Sequence, residues 1–263
     1  MIAGTGAFLS WGIFVSFGHR IIFKNFRLPE ENAFAKDMVN VSKTVYEATE
    51  ETGDNTMTEE DVPQIYLISP THFEIEEFSG KLSRVLDKVE IACMRMALES
   101  EDERKLSQSA DALRELCHAR DVPLVITHHM YLVERLGLDG VHFMDGARSI
   151  GKARKTLHED SIIGAYCGGS RHDGMNAGEL GADYISFGPI NAQNLGHAQP
   201  VETELFQWWS EMIELPVVAE GGLTQDRVAA LSPVTDFFAI GPEIWDQEDP
   251  LDWLLNLTEP LRR

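Results

Sequence analysis

From residue 64 onward, short apolar runs alternate with longer amphipathic stretches. The apolar runs fall at 64–69 (QIYLIS), 90–97 (EIACMRMA), 123–128 (PLVITH), 140–144 (GVHFM), 162–167 (IIGAYC), 184–190 (YISFGPI), 216–222 (PVVAEGG) and 236–241 (DFFAIG). Each is rich in β-branched or aromatic residues and bounded by turn formers, so each reads as a strand. Between them the apolar positions recur at helical spacing. Ile75, Phe78, Leu82, Val85 and Leu86 form one stripe in 74–88, and Leu106, Ala110, Leu113 and Cys117 another in 102–120. Further helices are predicted over 130–137, 149–159, 171–181, 203–214, 224–232 and 250–261, the third helix closing on a capping glycine, Gly137.

Strands that are apolar on both faces and separated by helices imply a parallel sheet covered by helices. Eight such β–α units in about 200 residues predict a closed (β/α)8 TIM barrel. An open doubly wound sheet is the alternative, but no GxGxxG follows the first strand. The preceding residues, 1–62, lack this rhythm and are predicted to be an N-terminal extension. They contain an apolar run of 12 residues, Ala7 to Gly18, and an acidic stretch, EATEETGDNTMTEEDVP. The run is shorter than the ~20 residues a transmembrane helix needs, and no basic segment precedes it.

Charge narrows the function. With 43 acidic and 22 basic residues the net charge is −21, which argues against nucleic acid or an anionic membrane as partner. An anionic ligand therefore needs a locally positive site, made of backbone N–H groups or a few arginines. Three cysteines, Cys93, Cys117 and Cys167, form no CxxC pair, as expected of a reduced, cytoplasmic protein.

In a barrel the active site is built by the loops after the strands' C-terminal ends. The longest such loop follows the sixth strand, from Asn191 to Glu202, and is a candidate lid or substrate clamp. The strongest local signal is VVAEGGLT, 217–224. Gly221 and Gly222 let the backbone approach a ligand, and Thr224 can cap the next helix. With Ile240 and Gly241 at the end of the eighth strand they are the candidate phosphate site, Pro242 having no N–H to donate. Arg95 is a cation inside an apolar strand: it either grips phosphate oxygens or pairs with a carboxylate such as Glu99 or Glu74. His128, His129 and His142, with Asp145, end the third and fourth strands and are candidates for proton transfer or metal binding. Arg171 and His172 sit in the first turn of a predicted helix, where cations oppose the helix dipole, which suggests ligand contact. Cys167 has no histidine placed to activate it and reads as an inert thiol.

These segments carry a resemblance. IYLIS, PLVIT, GLDGVHFM, IIGAYC, GADYISFGPI and PVVAEGG follow one another as in the thiamine phosphate synthase superfamily, which includes the thiazole tautomerases. The match spans roughly Gln64 to Trp245, and SRHDGMNAGELGADYISFG with FQWWSEMIELP looks like a divergent bacterial branch. The resemblance implies a (β/α)8 barrel and a transferase of thiamine biosynthesis. It would join hydroxymethylpyrimidine pyrophosphate to thiazole phosphate with Mg2+ and release pyrophosphate. On the family's strand-two Gln-x-Arg-x-Lys motif only Arg95 matches, because Cys93 and Ala97 fill the other places. Thr127 and His128 stand where the family has Asn-Asp; Ala147 occupies a second aspartate column, with Asp145 two residues early. Tyr166 replaces a serine, and Gly168 falls near the tautomerase histidine. Gln193, Asn194 and His197 lie where the strand-six loop has Thr-Pro-Thr-Lys. Arg95, His128 and His142 are accordingly the candidate catalytic residues; Arg171, His172, Gln193 and Asn194 the candidate substrate contacts; and Asp145 the candidate metal ligand. The expected partner is a small phosphorylated substrate, with no nucleic acid and no membrane, and self-association into a homo-oligomer is left open. The alternatives are an impaired paralogue that binds a thiazole or thiamine phosphate, and a barrel enzyme with altered proton-transfer chemistry.

Overall fold

The computed structural model describes residues 62–191 and 200–262. The apolar run Ala7–Gly18, most of the Asn191–Glu202 loop, and with it Gln193, Asn194 and His197, lie outside the described residues. Eight strands form one sheet that closes on itself in the order β1 to β8: β1 (Gln64–Ile68), β2 (Cys93–Met96), β3 (Leu124–Thr127), β4 (Gly140–Phe143), β5 (Ile162–Tyr166), β6 (Tyr184–Phe187), β7 (Val217–Glu220) and β8 (Phe237–Ile240). All neighbours are parallel, and β8 closes on β1 with Tyr66 opposite Ala239 and Leu67 opposite Ile240. Seven helices follow the first seven strands: α1 (Ile75–Leu86), α2 (Glu103–His118), α3 (Met130–Leu136), α4 (Ile150–Thr156), α5 (Arg171–Glu179), α6 (Thr203–Met212) and α7 (Gln225–Leu231). After β8 come a short α8 (Pro242–Trp245) and α9 (Pro250–Leu257).

The alternation along each strand sorts the core into two layers. Leu67, Met94, Ile126, Val141, Ile163, Ile185 and Phe238 face outward and pack under the helices. Tyr66, Ile68, Cys93, Val125, Ile162, Tyr184, Val218, Phe237 and Ala239 face inward and fill the barrel. The inner layer accepts large rings because Gly164 makes room: a Cβ there would lie 2.1 Å from Cζ of Tyr184.

An aspartate precedes each of three even-numbered strands and ties it to its neighbour. The Oδ2 atoms of Asp139, Asp183 and Asp236 accept from the N–H groups of Leu124, Ile163 and Val217 respectively. Each satisfies a donor at the start of the adjoining odd-numbered strand, where the ladder has not yet begun. Helix starts are similarly capped. Asp102 accepts from the N–H groups of Arg104 and Lys105 at α2, Ser170 from that of Asp173 at α5, and Thr224 from that of Arg227 at α7. Gly137 closes α3 at φ 64°, as the sequence led us to expect.

Two elements differ from expectation. The stretch 250–261 does not stay α-helical: α9 stops at Leu257 and Glu259–Leu261 is a 3-10 turn, because Pro260 has no N–H to continue the helix. Helix α8 is absent from the sequence reading. Pro242 starts it, and buried Ile244 and Trp245 seat it, with the Trp245 indole N–H donating to the Ile68 carbonyl at 2.6 Å.

Candidate functional site

The candidate residues gather at the C-terminal ends of the strands. A groove at the opposite face, lined by Val62, Glu90, Val122, Asp139 and Asp160 where strands begin, is removed from them.

At the exits of β7 and β8 the chain forms a cup of amides. Gly221 and Gly222 have φ of 86° and 75°, a conformation that turns successive N–H groups to one side. The N–H groups of Gly222 (2.8 Å) and Leu223 (3.2 Å) donate to Oε1 of Glu243, and that of Gly241 to Oε2 at 2.9 Å. The donors therefore include Leu223. Gly221 serves instead through its carbonyl, which accepts from the N–H groups of Ile190 and Asn191 and pins the turn to the β6 exit. Ile240 lies in the β1–β8 ladder with its side chain in the outer layer, so it shapes the cup only through the strand. A Cβ on Gly222 would stand 2.7 Å from the Asn191 carbonyl oxygen, which leaves no space for a larger residue.

Arg95 is 3% exposed and reaches across the barrel. Its Nη2 donates to Oε1 of Glu220 at 2.6 Å and its Nη1 to Oε2 at 3.2 Å, a bidentate pair. The partner is neither of the acids near it in sequence; Glu74 is held by Lys105 instead. Glu220 ends β7 and becomes a neighbour only when the sheet closes. Burial by itself would lower the guanidinium pKa, but the Glu220 carboxylate overrides it and the net shift is upward. Arg95 thus stays charged, and among the described residues its buried Nε has no partner.

His142 is fully buried on β4. Its Nδ1 is 2.9 Å from the Tyr184 hydroxyl, which is 2.8 Å from that of Tyr66. Burial, then the charges of Arg95 and His128, hold the imidazole well below its usual pKa, so it is neutral. Burial also raises both tyrosines far above 10. The three rings form an uncharged polar floor under the mouth, with Nε2 of His142 unpaired among the described residues. His128 is exposed at the β3 exit at φ 66°, and its N–H donates to the His142 carbonyl.

Asp145 follows β4. Oδ2 accepts from the Ser149 hydroxyl at 2.9 Å, while Oδ1 is buried with no partner among the described residues. Among the described residues no group of three metal-ligating side chains exists. A magnesium ion needs only one or two carboxylates when phosphate oxygens supply the other ligands. The open Oδ1 fits that supporting role and no more.

Arg171 and His172 find partners within the protein. The Arg171 guanidinium lies 4.4 Å from the Trp208 ring centroid, and His172 Nε2 is 3.1 Å from the Asn176 amide. A cation stacked on an aromatic ring accounts for Arg171 in the first turn of α5 without a bound anion. Cys167 is buried, and burial pushes its thiol up to about 12, in keeping with an inert side chain. Tyr166, in the serine column, donates to the Gly188 carbonyl at 2.6 Å; burial, then Glu220, raises it to about 12.

Glu220, Glu243, Tyr66 and Tyr184 were not singled out by sequence. The acid at the end of the apolar run VVAE was the one available signal for Glu220.

Residues 65–239 match the family model described as thiamine monophosphate synthase. The chain belongs to that family. Among its relatives, a thiamine-phosphate synthase of Rhodospirillum centenum is 35% identical over 70% of this chain and 89% of its own. One of Erythrobacter litoralis is 34% identical over 73% and 93%. A solved thiamine phosphate pyrophosphorylase from Pyrococcus furiosus superposes with a TM-score of 0.66 over 75% of this chain and 95% of its own. At 21% identity that likeness shows the fold. The orotidine 5'-phosphate decarboxylase of Pyrococcus horikoshii shares the fold at 14% identity and a TM-score of 0.55. No described helix is long and apolar enough to cross a membrane.

Proposed function

We propose that this protein is a thiamine phosphate synthase that transfers a pyrimidinylmethyl group from its diphosphate to the ring nitrogen of a thiazole phosphate. The family match across 65–239 is the observation that carries the reading, and relatives named for this activity align over most of their length. The amide cup at Gly222, Leu223 and Gly241 takes the thiazole phosphate. Backbone donors suit that task in a protein of net charge −21.

In the reaction the methylene C–O bond breaks and its electron pair leaves with pyrophosphate. The thiazole nitrogen then supplies the pair for the new C–N bond. No proton has to be removed for these two events, so the protein's task is to hold charge. Arg95, charged and with an Nε that no described residue engages, is the cation that would face the departing pyrophosphate. Asp145 Oδ1 is the protein oxygen that would hold a magnesium ion, which when bound would further neutralise that leaving group. His142 stays neutral, so it adds no positive charge beside a pyrimidine cation. His128 borders the same mouth, and Tyr66, Tyr184 and His142 line its floor.

A second reading draws on one specific observation: Arg95 is already engaged by Glu220, and neither Cys93 nor Ala97 adds a cation. On that reading the chain binds a thiazole or thiamine phosphate without turning over. Purified protein incubated with both substrates and magnesium separates the two. The synthase reading expects thiamine phosphate and pyrophosphate in equal amounts, and an Asp145→Ala variant slowed by about 10²–10³-fold, the loss typical of one missing charge-stabilising group. Bound thiazole phosphate with no product would establish the binder.

A further inference from the structure

The cup that would take a phosphate already holds an anion. Glu243 places both carboxylate oxygens against three amides from two different loops, at 2.8, 3.2 and 2.9 Å. Three N–H groups converging on one carboxylate is the arrangement by which backbone captures a phosphate monoester. The two anions cannot share it: the donors are the same, and like charges a few ångströms apart repel.

The surroundings fix the backbone of Glu243 and leave its side chain free to move. Ile244 and Trp245 are buried, and the Trp245 indole is bonded to the Ile68 carbonyl, so α8 is anchored at the rim. Glu243 itself is only half-buried, and its hydrogen bonds in the cup are all to backbone N–H groups. Rotation about its side-chain torsions carries the carboxylate to solvent while α8 stays in place.

From this geometry we infer that Glu243 is an internal competitor for the phosphate end of the substrate, a carboxylate gate that closes the cup until a phosphate monoester displaces it. The proposal rests on the reading of this cup as the phosphate end. The apparent affinity for phosphate is reduced by the fraction of molecules whose cup is open. The closed form also satisfies Gly222, Leu223 and Gly241, whose amides would otherwise need water in a strongly acidic protein. The gate thus discriminates against weakly held anions, because a ligand must replace three charge-assisted hydrogen bonds rather than fill an empty cup.

The test is titration of the full chain with inorganic phosphate and, separately, with thiazole phosphate, followed by calorimetry, for wild type, Glu243→Gln and Glu243→Ala. Glu243→Ala should bind both about tenfold or more tightly than wild type. Glu243→Gln, which keeps an acceptor but loses the charge, should fall between them. Thermal unfolding of each variant checks that the barrel is intact, and the glutamine variant keeps the test open if the alanine variant folds poorly. Equal affinities in wild type and Glu243→Gln would overturn the gate, and a variant that binds more weakly would do so more strongly. Neither result touches the synthase reading, which product formation decides independently. Failure of every variant to bind phosphate would remove the cup and the gate together.

Discussion

Glu220→Gln is expected to destabilise the folded barrel by about 3–5 kcal/mol, the cost of leaving one member of a buried ion pair alone. The substitution preserves shape and removes only the charge. Arg95 cannot respond by losing its proton, since guanidinium is protonated throughout the accessible pH range. It remains a buried cation, 3% exposed, over the Tyr66 ring at 5.9 Å and, among the described residues, with no other carboxylate bonded to it. Chemical denaturation should show a lower midpoint with an unchanged slope. Removing both charges, as in Arg95→Met combined with Glu220→Gln, should recover much of the loss, because the desolvation cost disappears with the pair. If Glu220→Gln costs less than about 1 kcal/mol, Arg95 has another partner and the bidentate pair is not what holds the mouth together. If the double variant is stable yet makes no thiamine phosphate, the pair serves chemistry beyond folding.

Gly164→Ala should damage the inner layer of the barrel. The new Cβ would meet Cζ of Tyr184 at 2.1 Å and its hydroxyl at 2.5 Å. That ring cannot simply step aside, because its hydroxyl is bonded to both His142 and Tyr66. Overpacking of this kind costs about 1–3 kcal/mol, and each displaced hydrogen bond adds about 0.5–1.5 kcal/mol. Combining Gly164→Ala with Tyr184→Leu should cost less than the sum of the two changes, since the second removes what the first strikes. Additive losses in equilibrium unfolding would show that the two residues do not meet.

The sequence carried the architecture well because its signals were local. Alternating strand runs, helical stripes and caps such as Gly137 and Thr224 are properties of neighbouring residues, and the closed barrel follows from eight of them in series. The aspartates before β4, β6 and β8 were visible in LDGVHF, ADYISF and TDFFAI, although their bonding to the adjacent strand was not. The site was harder to see because its decisive contacts span the barrel. Arg95 and Glu220 are 125 residues apart, and Tyr66 and Tyr184 are 118 apart. A search for partners near Arg95 in sequence found Glu99 and Glu74, and closure of the sheet supplied a different acid. Gly222 and Gly241 were legible as places where the backbone can present its amides, because glycines follow both strands; the convergence of those amides with that of Leu223 on Glu243 was not. Glu243 escaped notice because α8 is a single turn with no helical periodicity, seated by buried Ile244 and Trp245 and by the indole bond to Ile68. The contact of Arg171 with Trp208, on the next helix, was likewise out of reach of the local sequence.

The most direct measurement is a crystal structure of the protein grown with thiamine phosphate. The phosphate is expected at the β7 and β8 exits, within about 2.7–3.2 Å of the Gly222, Leu223 and Gly241 nitrogens, with the Glu243 carboxylate turned out to solvent. A phosphate bound elsewhere, or a ligand in the mouth with Glu243 still on those three amides, would contradict it.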